Sequence, residues 1–387
     1  MSSVYLDHNA TTPLAPEALA ALLPYLGEDF GNPSSPHHFA DAPATAVREA
    51  RAQVATLLGA QAKDIHFTSG ATESIHWAIQ GALALRPGQR QIITTVVEHP
   101  AVLKLCRHLE QQGVMVTYLP VDREGRLRLH YLEAALTPQT ALVSVMAANN
   151  ETGVLFPIEE IAALTQARGV LLHVDAAQTV GKRVIDLDRT PIDLLSLSGH
   201  KLHGPKGIGA LYIRNGVNLP PLFFGTQERG RRGGSLNVPG IVGLGAACRL
   251  AAESLSGTTA PIALLRDRLE AGIRAIFPPA HINGGNAERL AGTSNISFPG
   301  IEGEALVDRL DRAGFAVANG AACTVGGSQP SHVLMAMHKD EILASGAVRF
   351  SFSRYNTIAE VERLLTVLPD ILSTLAPEAA ADAIGSG

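Results

Sequence analysis

Val170-Leu171-Leu172-His173-Val174-Asp175-Ala176-Ala177-Gln178 is an apolar run that stops at a carboxylate and small residues. Such a run reads as a strand. Its lack of polar alternation means that both faces are covered, as in a parallel sheet packed between helices. Working outward, the same signature recurs at Ala141–Met146 and Leu194–Ser198, then at Ile65–Thr68, Gln91–Val96, Val114–Leu119 and Gly209–Ile213. Helical periods cover Pro43–Leu58, Thr72–Leu85, Pro100–Gln112 and Ile158–Arg168. From about residue 60 to 215 this alternation predicts crossover units and an α/β fold with a mainly parallel central sheet between helices.

The rhythm changes after about residue 255. Helices are predicted over Gly240–Leu255 and Leu264–Ile276, while the strand candidates Asn295–Phe298, Phe315–Ala318 and Val348–Phe352 are sparser, which suggests a smaller α+β domain. A chain of 387 residues exceeds the usual single-domain size. The expected division is a segment over residues 1–15 joining the small domain, a large domain over 16–255, a small domain over 256–375 and an Ala/Gly-rich tail over 376–387.

With 46% hydrophobic and 17% charged residues the composition is globular, and a formal net charge of -5 offers no broad basic field for nucleic acid or an anionic membrane. The start, Met1-Ser2-Ser3-Val4-Tyr5-Leu6-Asp7, lacks the basic and apolar regions of a secretory signal. No uninterrupted apolar run is long enough to span a bilayer. Cys106, Cys248 and Cys323 form no CxxC pair and no even framework. That pattern favours free thiols in a reducing, cytoplasmic setting.

Ligands of open parallel sheets collect beyond the carboxyl ends of the strands. Four motifs fall at such ends. Thr68-Ser69-Gly70-Ala71-Thr72-Glu73 opens a helix, with small residues that let backbone N–H groups approach a phosphate; an ordinary N-cap is the alternative. Asp175 is a cap, an ion-pair member or the partner of a protonated cofactor ring nitrogen. Lys201, in Ser198-Gly199-His200-Lys201, is either a solvated loop lysine or, if desolvated, a Schiff-base nucleophile. Cys323 lies in the small-residue run Asn319-Gly320-Ala321-Ala322-Cys323-Thr324-Val325-Gly326-Gly327-Ser328, which favours an exposed thiol on a mobile loop. Cys106 and Cys248 read as structural. His37, His38, His200 and His203 lack metal-ligand spacing, so no metal is expected.

Taken together, these motifs resemble the cysteine desulfurases of the class V aminotransferase group, in its longer-loop branch. The likeness runs from Tyr5-Leu6-Asp7-His8-Asn9-Ala10-Thr11-Thr12 to Val348-Arg349-Phe350-Ser351-Phe352. It is carried most specifically by Gly31-Asn32-Pro33-Ser34-Ser35, Glu98-His99-Pro100, Ala148-Asn149-Asn150-Glu151-Thr152-Gly153 and Gln227-Glu228-Arg229-Gly230. The resemblance implies the fold-type I architecture of pyridoxal 5'-phosphate enzymes. Lys201 would hold the cofactor as a Schiff base, His99 would stack on its ring, Asp175 would pair with the ring nitrogen and Gln178 with the phenolic oxygen. Ala71, Thr72, Ser198 and His200 would bind the phosphate, joined by Ser235 from the second subunit of a homodimer. Asn150 and Arg349 would hold the substrate carboxylate. Ser235 replaces the family's usual threonine and keeps the hydroxyl, Thr226 replaces a glycine, and Ala321 replaces a common serine.

The implied activity converts L-cysteine to L-alanine. Sulfur passes to Cys323 as a persulfide, and then to acceptor or scaffold proteins of iron–sulfur cluster or thio-cofactor biosynthesis. His99 would handle protons at the sulfur step. Two other readings share these residues. One is a different fold-type I enzyme, an aminotransferase or lyase (selenocysteine lyase included), in which Cys323 is incidental; a keto acid and the amine form of the cofactor would mark the aminotransferase. The other is a non-catalytic sulfur carrier or scaffold, which would not bind the cofactor.

Overall fold

The computed structural model describes residues 3–319, 330–338 and 340–375; Cys323 and the tail expected over 376–387 lie outside the described residues. In chain order the strands are β1 (Val4–Tyr5), β2 (Ile65–Thr68), β3 (Gln91–Thr95), β4 (Met115–Leu119), β5 (Thr140–Met146), β6 (Leu171–Asp175), β7 (Leu194–Ser198), β8 (Gly209–Ile213), β9 (His281–Ile282), β10 (Thr293–Ser297), β11 (Phe315–Ala316), β12 (Ala318–Asn319) and β13 (Ala347–Ser351). The helices are α1 (Pro16–Leu22), α2 (Asp41–Leu58), α3 (Ala71–Leu85), α4 (Pro100–Gln111), α5 (Leu129–Ala135), α6 (Ile158–Ala167), α7 (Val238–Ile276), α8 (Gly303–Arg312), α9 (His332–His338), α10 (Glu341–Ser345) and α11 (Ile358–Leu375).

Seven strands form one sheet in the order β2-β8-β7-β6-β5-β3-β4. β4, β3, β5, β6 and β7 pair in parallel, and β8 runs antiparallel to both of its neighbours. Adjacent apolar residues of the strands go to opposite faces. Ile92, Leu142, Leu171, Leu194 and Leu211 join α3 and α4 in one core, while Ile93, Val143, Leu172, Leu195 and Ala210 join α2 and α7 in the other. Doublets such as Leu142-Val143 and Leu171-Leu172 follow from that layering, since a strand covered on both sides has no solvent face to mark.

A four-stranded antiparallel sheet, β12-β13-β10-β9, packs with α8 and α11 over Ile296, Phe298, Leu306, Phe350 and Leu364. β1 pairs in parallel with β11, Val4 opposite Phe315, so the N-terminal residues belong to this second core. The run Phe315–Ala318, expected as one strand, divides instead between two pairings: β11 lies against β1, and β12 against β13.

A second correction concerns α7, which is one helix where two are expected, and which crosses residue 255 unbroken. Gly257 and Pro261 read as breakers, since proline takes away an intrahelical donor. Three hydroxyls in this stretch bond back to carbonyls a turn earlier: Ser254 Oγ to Leu250, Thr258 Oγ1 to Ser254 and Thr259 Oγ1 to Leu255. The helix is also anchored at both ends, with Leu244 and Cys248 in the large core and Leu265, Leu269 and Ile273 in the second. Tertiary packing of this kind outweighs a local break. By length and composition α7 is apolar enough to cross a membrane, but more than half of that apolar window is buried, as a helix bridging two cores requires.

Candidate active site

Residues just beyond the carboxyl ends of β2, β3, β5, β6 and β7 line one cavity of about 640 Å3, closed on the other side by the N-terminal segment and β13. Into it face Ala71, Thr72, His99, Asn150, Asp175, Gln178, Ser198, His200, Lys201 and Arg349, which are scattered along the sequence. Ser235 lies elsewhere, lining a smaller cavity with Ser69 and Arg232. A larger open groove of about 1000 Å3, edged by Arg128, Glu160 and Val184, holds none of these residues.

The turn after β2 carries the first pole of the site. Gly70 has φ +155, a backbone region that favours glycine, and a Cβ built there would meet only Ser198 Oγ at 3.7 Å. Glycine therefore leaves space open at the N-terminus of α3, where unpaired N–H groups favour an anion. The Thr72 and Ser198 hydroxyls have no hydrogen-bond partner among the described residues. Glu73 at the same edge is neutralised by Arg232, at 2.9 and 3.2 Å, and also accepts the Ser69 N–H at 2.9 Å. His200 Nδ1 lies 3.1 Å from Thr11 Oγ1.

His99 caps α4, its Nδ1 accepting the Ala101 N–H at 3.1 Å. In the neutral ring the proton is therefore on Nε2. Desolvation in the cavity wall, with Lys201 and His332 adding to it, holds its pKa down to about 4. Glu98, fully buried beside it, accepts Thr95 Oγ1–H at 2.7 Å and the Met146 N–H at 3.1 Å, which joins the ends of β3 and β5. The Asn149 side chain accepts the N–H groups of Glu151 and Thr152 and donates to the Val97 carbonyl. These bonds set the turn that presents Asn150, whose own amide group has no partner among the described residues.

Asp175 ends β6, with Oδ1 accepting the Ala177 N–H at 3.0 Å. Burial raises its pKa to about 6, against the pull of that N–H and of Lys201, so it is largely ionised at neutral pH. Lys201 Nζ donates to the carbonyls of Asn9 at 2.6 Å and Ala10 at 2.9 Å. Burial first, then Arg349, lowers its pKa to about 8, with Asp175 and Asp7 opposing. A lysine so poised yields a free amine near neutrality.

Several members of this network carry no signal by residue type. Asn9 is the hub: its carbonyl receives both Lys201 and the Gln178 Nε2–H at 2.9 Å. Backbone acceptors are invisible in a sequence. Asp7, which pairs with Arg349 at 2.6 Å, stands with Asn9 in the run Tyr5–Thr12, and that run is the one signal that could have found either residue.

The donor set fits pyridoxal 5'-phosphate. The glycine-opened helix N-terminus with free hydroxyls suits the phosphate, the buried carboxylate suits a cationic ring nitrogen, and the amine of Lys201 lines the same cavity. Fold and site together define a fold-type I pyridoxal phosphate enzyme.

The Aminotransferase class-V family model matches residues 4–364. A cysteine desulfurase of Cereibacter sphaeroides is 54% identical over 378 residues, covering 97% of each chain. The cysteine desulfurase NifS of Azotobacter vinelandii is 49% identical over 97% of this chain and 94% of its own. A solved NifS-like protein superposes with a TM-score of 0.91 at 40% identity, over 96% of this chain and all of the other. The chain belongs to the class-V aminotransferase family, among its NifS-like cysteine desulfurases.

Proposed function

We propose that the protein converts L-cysteine to L-alanine, holding the sulfur as a persulfide on Cys323 before an acceptor protein of iron–sulfur cluster or thio-cofactor assembly takes it. The observation that supports this most is the meeting of Lys201, Asp175, His99 and Arg349 at one cavity. Bound there, pyridoxal phosphate supplies an electron sink beside the α-carbon of the amino acid. Asn150 and Arg349 hold the substrate carboxylate, and Asp175 keeps a positive charge opposite itself. Lys201, as the amine, takes the α-proton and returns it. His99 moves a proton at the substrate sulfur through Nε2. The Cys323 thiolate attacks that sulfur, a sulfur–sulfur bond forms, and the carbon–sulfur bond breaks with its electron pair going to the β-carbon, which takes up a proton to become the methyl group of the departing alanine.

Cys106 and Cys248 are poor candidates for the receiving thiol. Both are buried, and burial raises each to about 12, far from thiolate formation at neutral pH. The reading includes a cytoplasmic homodimer in which Ser235 of the second copy completes the phosphate end. The Cys323→Ala variant should keep the cofactor's visible absorption and lose persulfide formation and alanine release. Sustained stoichiometric alanine and sulfide release by that variant would remove Cys323 from the reaction.

A further inference from the structure

The turn after β6 runs Gln178-Thr179-Val180-Gly181-Lys182 and brings a second lysine to the site. The stem of Lys182 is partly exposed beside a small cavity behind Lys201, but its ammonium is surrounded by protein. It donates to Gln178 Oε1 at 3.0 Å and to Asn9 Oδ1 at 3.2 Å. An ammonium group has only donors, so both oxygens must face it, and two amides are oriented at once. Gln178 turns Nε2 to the Asn9 carbonyl at 2.9 Å, which leaves its other N–H for the cavity it lines. Asn9 turns Nδ2 to the Asn150 carbonyl at 3.2 Å and to Thr293 Oγ1 at 2.9 Å, while its carbonyl receives Lys201.

We propose that Lys182 is a positioning residue for the reaction: it fixes Gln178 as a donor toward the cofactor's phenolic oxygen and holds Asn9 where its carbonyl seats Lys201. The inference rests on the reading that pyridoxal phosphate is held on Lys201. Were the Gln178 amide reversed, its oxygen would face the phenolic oxygen, acceptor against acceptor. The Asn9 carbonyl, which accepts Gln178 Nε2–H, opposes that reversal as well, and Lys182 holds both Gln178 Oε1 and the Asn9 side chain in place.

Burial first, then Lys201 and Arg349, lowers the pKa of Lys182 to about 7. Facing the pair are Arg349 from β13, Asp175 from β6, Asp7 and His8 from the N-terminal segment, and His200 and His203 from the turn after β7. Burial holds His8 at about 3 and His200 and His203 at about 4, so these rings are neutral above pH 6. Asp175, raised to about 6, is ionised above that. Lys182, at about 7, has largely shed its proton before Lys201 sheds its own at about 8, so Lys182 acts on Lys201 through the groups it orients.

Lys182→Met and Lys182→Arg are compared with the parent protein by two titrations. In cofactor-free protein, the pH dependence of Lys201 acylation by a small amine-reactive reagent is read by peptide mass spectrometry. In loaded protein, the pH midpoint of the visible absorption is read directly. Lys182→Met, which frees the Gln178 amide to turn away from the phenolic oxygen and leaves that oxygen more basic, should move the midpoint of the loaded protein upward by about one pH unit, about tenfold in proton affinity, with the cofactor-free midpoint nearly in place, and Lys182→Arg should restore the loaded midpoint. A Met variant with parental melting temperature and cofactor content, and with an unmoved midpoint in the loaded protein, overturns the proposal. If Lys182→Met fails to fold, Lys182→Gln serves the same comparison. Failure of the parent protein to bind pyridoxal phosphate would instead sink the underlying reading.

Discussion

Arg349 Nη2 donates to Asp7 Oδ1 at 2.6 Å while its Nη1 donates to the Asn150 carbonyl at 2.9 Å. The guanidinium proposed to receive the substrate carboxylate is thus held on two sides, and its buried Nε has no partner among the described residues. A planar fork fixed beforehand loses little entropy when a carboxylate arrives. Lysine offers a point charge without the fork. Arg349→Lys should raise KM for L-cysteine about 10- to 100-fold, as expected for about 1.5–3 kcal/mol of charge-assisted bonding, with the visible absorption of the cofactor unchanged. Steady-state kinetics on the loaded protein checks this, and an unaltered KM would place the carboxylate elsewhere.

The Lys201 amine gives the second prediction. With its pKa lowered to about 8, the neutral fraction rises with pH and levels off just above that value. Capture of added pyridoxal phosphate by the cofactor-free protein should therefore accelerate about tenfold per pH unit below 8 and then flatten. An ordinary exposed lysine would keep accelerating past pH 10. Stopped-flow absorbance distinguishes the two profiles, and Lys201→Ala should show no covalent capture at all.

Gly209 links fold and site. It sits in β8 opposite both Thr68 of β2 and Ser198 of β7, the two strand ends that open the phosphate pole. A Cβ there would lie 2.5 Å from the Leu197 carbonyl oxygen and 2.7 Å from Gly70 Cα, both backbone atoms that cannot swing aside. Gly209→Ala should cost about 1–3 kcal/mol in denaturant unfolding and weaken retention of the cofactor. Unchanged stability would mean that the backbone at Gly70 yields freely.

The large sheet is legible because burial on both faces writes itself into composition: a doublet such as Leu171-Leu172 sends one side chain to each of two cores, and no polar residue interrupts it. What escapes has a physical reason. β1 and β9 are too short to show a period and exist through pairing, as Val4 with Phe315 and Ile282 with Ile296 show. Pro261 reads as a stop because propensity is local, whereas α7 is held by cores at both ends. In the site, Lys201 and Asp175 are visible as residue types but ambiguous in role until resemblance orders them. Asn9 acts through its backbone carbonyl and Lys182 through the orientation of other residues' amides, and neither function leaves a mark in spacing.

Glu98 carries the last prediction. Its carboxyl group is fully buried; burial raises its pKa from 4.5 to about 8, the bonds from Thr95 and Met146 opposing and Asp175 adding to the rise. Oε2 has no partner among the described residues. Between those two pH values the native state keeps a proton that the unfolded chain has shed. Stability is accordingly intact below about pH 4.5 and falls as pH rises toward 8, by about 1.4 kcal/mol per pH unit for this single proton. Glutamine is neutral throughout and can still accept from Thr95 and Met146. Glu98→Gln should therefore flatten the decline of Tm between pH 5 and 8, whatever its absolute starting point. Parallel Tm curves for the two proteins would show that Glu98 ionises as freely in the native state as in the unfolded chain.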